Sequence, residues 1–128
     1  AAILAGDTVV ACGRFILPKT EDADAARACL ERLSGRRHRV YGGIALRCAD
    51  GRMITRLVTS IVTIKRLSAV EIDRYIDSGD WQGKAGGYAI QGPAAAFIQH
   101  VSGSYSNIVG LSLYDVAAML GGNGLLSE

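Results

Sequence analysis

The fold is organised around one glycine-rich stretch, Gly83-Lys84-Ala85-Gly86-Gly87-Tyr88-Ala89-Ile90-Gln91-Gly92. Glycines can adopt positive φ angles and allow other groups to approach the backbone closely. Within such a loop, Lys84 can meet an anion as a point charge. The amide of Gln91 can pair with a flat polar edge such as that of a nucleobase. Composition alone leaves two interpretations open, a nucleotide-binding loop and a plain turn between two elements.

The size and charge of the chain fit one ordinary globular unit. We expect residues 1–128 to form a single domain with a sizeable core. Apolar residues make up 49% of the chain and charged residues 20%, which is usual for globular proteins. The net charge of +2 is too small to indicate a nucleic-acid partner, and the basic run 36–39 is more simply the start of a solvated strand.

The cysteine pattern favours a cytoplasmic location. The three cysteines lie far apart without a Cys-x-x-Cys pair, which predicts reduced thiols. The two histidines lack metal-ligand spacing, and neither a signal peptide nor 18 consecutive apolar residues are visible in the sequence, so we expect no membrane partner. The opening residues 1–5 contain no initiator Met and are typical of the middle of a strand, so we expect natural sequence to precede them.

Hydrophobic periodicity predicts an α/β domain with a mixed sheet and flanking helices. The helix at Asp22–Leu33 should bury a stripe of Ala26, Cys29, Leu30 and Leu33. The helix after Ser68 should begin with a capping box formed by Ser68 and Glu71. The last helix should bury a stripe of Leu113, Val116, Ala117 and Leu120, and Asn123–Glu128 should fray. The predicted elements are strands at Ile3–Cys12 and Phe15–Leu17, a helix at Asp22–Leu33, a hairpin of Arg39–Ala49 and Arg52–Leu67, a helix between the caps Ser68 and Gly79, a strand or short helix at Pro93–Val101, a polar turn at Gly103–Asn107 and a helix from Ser112.

Asp7 interrupts an apolar run that is otherwise typical of a strand buried on both faces. An isolated buried charge is costly, so this carboxylate should be paired, hydrogen-bonded or bound to a cation. Asp7 is therefore a candidate general base or metal ligand, with a turn-capping aspartate as the alternative. A hairpin at Gly13-Arg14 would bring Lys19 toward Asp7, which would suit an anionic substrate; a plain surface lysine is the alternative.

Three ordered motifs resemble the Maf (septum-formation-inhibitor-like) nucleoside triphosphate pyrophosphatases. They are Asp7-Thr8-Val9-Val10, the glycine-rich stretch, and Gly103-Ser104-Tyr105-Ser106-Asn107-Ile108-Val109-Gly110-Leu111. The resemblance covers essentially the whole chain and implies a strongly twisted mixed sheet, similar to the Maf and inosine triphosphate pyrophosphatase-like fold. The family also opens with a Ser-x-Ser-Pro-Arg-Arg loop and later supplies a carboxylate. This sequence has neither, so we expect the N-terminal part of the family domain to be missing.

The resemblance implies hydrolysis of a nucleoside triphosphate to the monophosphate and pyrophosphate, assisted by a divalent cation, magnesium or manganese. Within the family, a Gly-Lys-Ala-Gly … Ile-Gln-Gly loop is typical of the branch that acts on dTTP and UTP. By the same resemblance Asp7 is the proton acceptor, Thr8 and Gln91 are specificity positions, and Lys19 and Lys84 bind phosphate. The family usually has Pro after that first lysine, where this chain has Thr20.

Two alternatives to this function stay open. One is a pyrophosphatase with another base preference, for 7-methyl-GTP or for many bases. The other is a non-catalytic nucleotide-binding fragment linked to cell-division control. The expected partner is the nucleotide itself, and the resemblance is compatible with a homodimer. Within the loop we expect Gly86 and Gly87 to let the backbone approach the nucleotide, and Tyr88 to fill core rather than stack on the base.

Overall fold

The structure, a computed structural model, describes residues 2–125. Ala1 and residues 126–128 lie outside the described part, and with them part of the predicted frayed end Asn123–Glu128. The elements are β1 (Ile3–Cys12), β2 (Phe15–Leu17), α1 (Ala23–Leu33), β3 (Arg37–Arg47), β4 (Met53–Ile64), α2 (Ala69–Ser78), a 3-10 helix (Pro93–Phe97), β5 (Ile98–Ser102), α3 (Tyr105–Val109) and α4 (Leu113–Gly122).

The five strands found in residues 2–125 form one sheet in the order β2-β1-β3-β4-β5. Val40 in β3 lies opposite both Val10 in β1 and Ser60 in β4, and each neighbouring pair of strands is antiparallel. Outside the strands, Thr20 and Gln82 form an isolated parallel bridge. The α/β class with flanking helices is confirmed, whereas the described strands pair only antiparallel in this sheet and do not form the predicted mixed sheet. β4 occupies an interior position between β3 and β5.

The helices pack on the sheet face that carries Val10, Val40 and Val62. Side chains alternate along a strand, so these residues share a face with their neighbours two positions away. The predicted apolar stripe of α1 is confirmed, because Ala26, Cys29, Leu30 and Leu33 are all buried in this core. Further along the same face, α4 closes a second cluster formed by Ile44, Leu46, Cys48, Val116 and Met119.

The opposite face of the sheet is open, which corrects one prediction. The first half of β1 is exposed rather than buried on both faces, and Ile3 and Leu57 are 57% and 67% exposed. Apolar composition predicts a strand but does not reveal which of its faces is covered. Among residues 2–125 the helices all pack on the sheet face that carries Val10.

The helix α2 delivers the glycine-rich stretch to the sheet. Its predicted capping box is present, with the Ser68 hydroxyl accepting from the Glu71 N–H and the Glu71 carboxylate accepting from the Ser68 N–H. Gly79 ends the helix with φ of 75°, as predicted. No helix among residues 2–125 is long and apolar enough to cross a membrane.

Two later predictions need correction. The expected turn at Gly103–Asn107 instead starts α3, whose N-cap is Ser104. In α4 the buried residues are Val116 and Met119, while Leu113 is 65% exposed, so the predicted stripe was rotated around the helix.

Candidate active site

One cavity of about 280 Å³ lies where the glycine-rich loop crosses β1. All five site residues predicted from the sequence line it: Asp7, Thr8, Lys19, Lys84 and Gln91. They come from three segments that are distant in the sequence. The volume falls near the lower end of the roughly 300–1,000 Å³ range of small-molecule sites.

The two lysines reach the cavity from adjacent backbone segments. Lys19 forms an isolated antiparallel bridge with Ala85, next to Lys84. Both side chains are exposed, and the four ion pairs among the described residues involve other groups. Two cations on one rim are suited to an anion that carries several charges.

Asp7 lies at the rim of the cavity and is exposed, so the predicted burial of this carboxylate is wrong. Its neighbour across the strand pair is Gly43, which has no side chain to cover it. Of the three kinds of partner expected for this carboxylate, a hydrogen bond is present, because Asp7 Oδ1 accepts from the Thr8 N–H at 2.9 Å. Strand alternation places Asp7 and Thr8 on opposite faces, and Asp7 also borders a shallow depression on the open face.

The residues present supply few metal ligands of their own. Among residues 2–125 no three His, Cys, Asp or Glu side chains cluster as a metal-binding group. Asp7 is the one carboxylate among the described residues that line the cavity. Magnesium in nucleotide enzymes is commonly held by one or two carboxylates together with substrate phosphates. The donor set therefore fits a cation shared with a bound triphosphate, and does not fit a cage built from protein alone.

Gln91 stands beside an apolar wall that the sequence analysis did not assign. Ile90, Ile108 and Val109 line the same cavity, the last two from the end of α3. Ile108 and Val109 belong to the third motif, Gly103–Leu111. The place of that motif after the other two was the sequence signal that could have identified these residues. An amide beside apolar side chains forms a surface that fits a flat ring with polar edges.

The two central glycines of the loop face the core, which corrects their predicted role. Gly86 and Gly87 are buried, with φ of 72° and 78°. A Cβ on Gly86 would lie 3.0 Å from Val10, and one on Gly87 would lie 3.4 Å from the backbone of Ala26. They allow the loop to pack on β1 and α1. The loop glycine that does line the cavity is Gly83.

Tyr88 is core, as predicted, and its hydroxyl has a buried partner. The hydroxyl lies 2.6 Å from His38 Nε2 in β3, with the two rings edge to face. Burial lowers the pKa of His38 to about 4 and raises the pKa of Tyr88 above its usual range. His38 is therefore neutral at pH 7. Its Nε2 accepts a hydrogen bond from the phenol or donates one to it, depending on the tautomer.

Comparison with known proteins shows the family of the chain. A family model described as "Maf-like protein" matches residues 1–122. The chain belongs to the Maf-like family. The three motifs of the sequence thus lie within the matched region, and the resemblance is confirmed at the level of the family.

Relatives of this Maf-like chain carry a consistent name. A protein of Paramagnetospirillum magneticum named dTTP/UTP pyrophosphatase is 63% identical over 97% of the chain. Proteins with the same name from Rhodospirillum rubrum and Maricaulis maris are 61% and 57% identical over 95% and 97% of the chain. The matched regions span 65%, 58% and 60% of these three relatives, so the chain covers about six-tenths of their length.

Proposed function

We propose that the protein hydrolyses dTTP and UTP to the monophosphate and pyrophosphate. The observation that carries this proposal is one cavity whose lining includes Asp7, Lys19, Lys84 and Gln91. A carboxylate, two cations and an amide are the groups that a water molecule, a phosphate chain and a pyrimidine would require. The name shared by the relatives supports the same substrates.

Lys19 and Lys84 would bind the β- and γ-phosphates. Cleavage between the α- and β-phosphates leaves the growing negative charge on the departing pyrophosphate. Cations that are already in place stabilise such charge without having to reorganise during the reaction. The loop and the Lys19 segment are bonded to each other, so both amines approach the phosphate chain from one rim.

Asp7 would position the attacking water in line with the leaving pyrophosphate and accept its proton. Its exposed carboxylate at the cavity rim is accessible to solvent, and the Thr8 N–H fixes one of its oxygens. The second oxygen is available to a water molecule or to a cation. A magnesium or manganese ion held by Asp7 and the phosphates would neutralise phosphate charge when bound.

Gln91 and Thr8 would read the base. The ring of thymine or uracil presents carbonyl groups on either side of an N–H, which an amide can match with one donor and one acceptor. Ile108 and Val109 would pack against the flat face of that ring. A purine is larger, and it would have to displace this wall.

A second candidate, nucleotide binding without turnover, is favoured by one observation. The described cavity holds a single carboxylate, and that carboxylate lies at the rim rather than deep in the site. Such a protein would bind dTTP and release no pyrophosphate. A pyrophosphatase with another base preference is the further alternative.

We further propose that the protein acts in the cytoplasm, where its three buried cysteines stay as thiols. A homodimer is the assembly we expect, and light scattering across a concentration series tests it. A mass equal to one chain at every concentration would contradict that expectation.

The test of the function is pyrophosphate release from a nucleotide panel by the full-length protein. The panel contains dTTP, UTP, CTP, ATP, GTP and 7-methyl-GTP, each with and without magnesium. We expect the highest kcat/KM for dTTP and UTP. Faster turnover of 7-methyl-GTP or of purines would overturn the base assignment. Binding of dTTP without release of pyrophosphate would favour the second candidate.

A further inference from the structure

Thr20 is fully buried between the two lysine-bearing segments. Its hydroxyl donates to the Trp81 carbonyl at 2.6 Å, and the Lys84 carbonyl lies 3.5 Å from the same oxygen. A buried hydroxyl with a short hydrogen bond holds its partner firmly, because losing that bond would leave a polar group unsatisfied. The partner here, Trp81, lies two residues before the glycine-rich loop.

The backbone of Thr20 makes two more bonds to that loop. Its N–H donates to the Lys84 carbonyl at 3.1 Å, and its carbonyl accepts from the Gly83 N–H at 2.8 Å. Two residues before Thr20, the Pro18 carbonyl accepts from the Gly86 N–H at 3.0 Å. Lys19 therefore sits between two residues whose backbones are fastened to the loop that carries Lys84.

We propose that Thr20 is a positioning residue that holds Lys19 and Lys84 as a preformed pair of cations for the triphosphate chain. The inference rests on the proposed function for the identity of the anion. It adds a residue that touches no substrate but fixes the spacing of two groups that do. Any residue except proline could make both backbone bonds of position 20. The bond to Trp81 comes from the side chain, so the hydroxyl adds a third attachment that depends on the residue type.

The role of the hydroxyl can be separated from the role of packing. Thr20→Val keeps the shape of the side chain and removes the donor, and Thr20→Ser keeps the donor and removes a methyl group. Thr59→Val is the matched control, because Thr59 is exposed on the open face of β4, away from the cavity. Circular dichroism and melting temperature establish that each variant is folded.

The measurements are KM and kcat for dTTP, with dissociation constants for dTTP and dTMP in EDTA. We expect Thr20→Val to raise KM and the dTTP dissociation constant by about tenfold, because the cations no longer stay paired. Binding of dTMP, which lacks the β- and γ-phosphates, should change less than twofold. Thr20→Ser and Thr59→Val should behave as wild type.

Three results would overturn the proposal. They are an unchanged KM in folded Thr20→Val, an equal loss of dTTP and dTMP binding, and a Thr20→Ser variant as impaired as Thr20→Val. The second of these would mean that the hydroxyl supports the whole loop rather than the phosphate site.

Amide exchange in the wild-type protein tests the same idea without any substitution. If the pair is preformed, the amide protons of Thr20 and Gly83 are protected before nucleotide is added. Exchange at the rate of open solvent would contradict the proposal even if Thr20→Val does not fold. Absence of pyrophosphate release by wild type would instead overturn the proposed function, while the binding and exchange results would still decide the role of Thr20.

Discussion

His38 Nε2 and the Tyr88 hydroxyl lie 2.6 Å apart inside the core and tie β3 to the glycine-rich loop. His38 is 2% exposed and Tyr88 is 6% exposed. Fifty positions separate them in the sequence, yet their rings meet edge to face with centroids 5.4 Å apart. The glycine-rich loop is therefore anchored to the sheet at a point between Lys84 and Gln91.

This pair predicts a loss of stability in mild acid. Burial lowers the pKa of folded His38 to about 4, below the value of 6.5 of the unfolded chain. Between those values the unfolded state binds the extra proton, so the contribution of neutral His38 is complete above pH 6.5 and is lost as the pH falls toward 4. The loss should reach roughly 2 kcal/mol between pH 7 and pH 4.5, measured by urea unfolding.

The matched comparison is between His38→Gln and His100→Gln. The glutamine at position 38 can still bond to Tyr88 but does not titrate, so this part of the pH dependence should disappear. His100 is exposed in β5, and its replacement should leave the dependence as in wild type. Parallel stability curves for wild type and His38→Gln would contradict the account.

Gly42→Ala should destabilise the protein by about 3 kcal/mol. A Cβ at Gly42 would overlap the side-chain oxygen of buried Asn107. That side chain cannot move freely, because its amide nitrogen lies within 3.2 Å of the Val40 and Val58 carbonyls and the Ser60 hydroxyl. Urea unfolding at pH 7 measures the change.

The neighbouring substitution Gly43→Ala is the control for that effect. A Cβ at Gly43 would come no closer than 4.0 Å to its nearest neighbour, the Asp7 carbonyl oxygen. We expect a change of less than about 1 kcal/mol, as for most substitutions outside the core. Equal destabilisation by the two substitutions would show that Asn107 is not the reason for the glycine.

Local signals in the sequence were sufficient for the elements that depend on neighbouring residues. The capping box of Ser68 and Glu71 and the buried stripe of α1 involve positions three or four apart, and both were predicted. The ordered motifs also included residues that line one cavity from distant segments. The order of the motifs along the chain allowed these residues to be named without knowledge of the fold.

Contacts between distant residues explain what the sequence could not predict. Asp7 was expected to be buried but is exposed. Its exposure depends on which face of β1 the helices cover, and no local sequence pattern contains that information. Gly86 and Gly87 were expected near the nucleotide, whereas Val10 and α1 occupy the space beside them. The His38 and Thr20 anchors were missed for the same reason, since a single buried polar residue gives no periodic signal.

Lys84→Ala should raise KM for dTTP by about tenfold, because a charge-assisted contact to phosphate is lost. The dependence of KM on salt concentration should weaken as well, because the variant has one fewer cation whose attraction to phosphate salt can screen. Steady-state kinetics at two ionic strengths measure both effects. Lys65→Ala is the control, because that lysine pairs with Glu71 at 2.6 Å in a different part of the protein. A kcat/KM equal to that of wild type would remove Lys84 from the phosphate site.

Gln91→Ala should reduce the preference for dTTP over dATP by about tenfold, because the amide that pairs with the pyrimidine edge is gone. The effect should appear in the ratio of the two kcat/KM values. Gln99→Ala, an exposed position in β5, should keep the wild-type ratio. If Gln91→Ala lowers both kcat/KM values equally, the residue supports the loop and does not select the base.

The central claim is that Asp7 activates water for cleavage between the α- and β-phosphates. Phosphorus NMR of dTTP incubated with the full-length protein and magnesium tests it most directly, with wild type and Asp7→Asn side by side. The account predicts dTMP and pyrophosphate in equal amounts from wild type, and a rate at least about a hundredfold lower from a folded Asp7→Asn variant. Equal rates from the two proteins, or dTDP and phosphate as products, would contradict it.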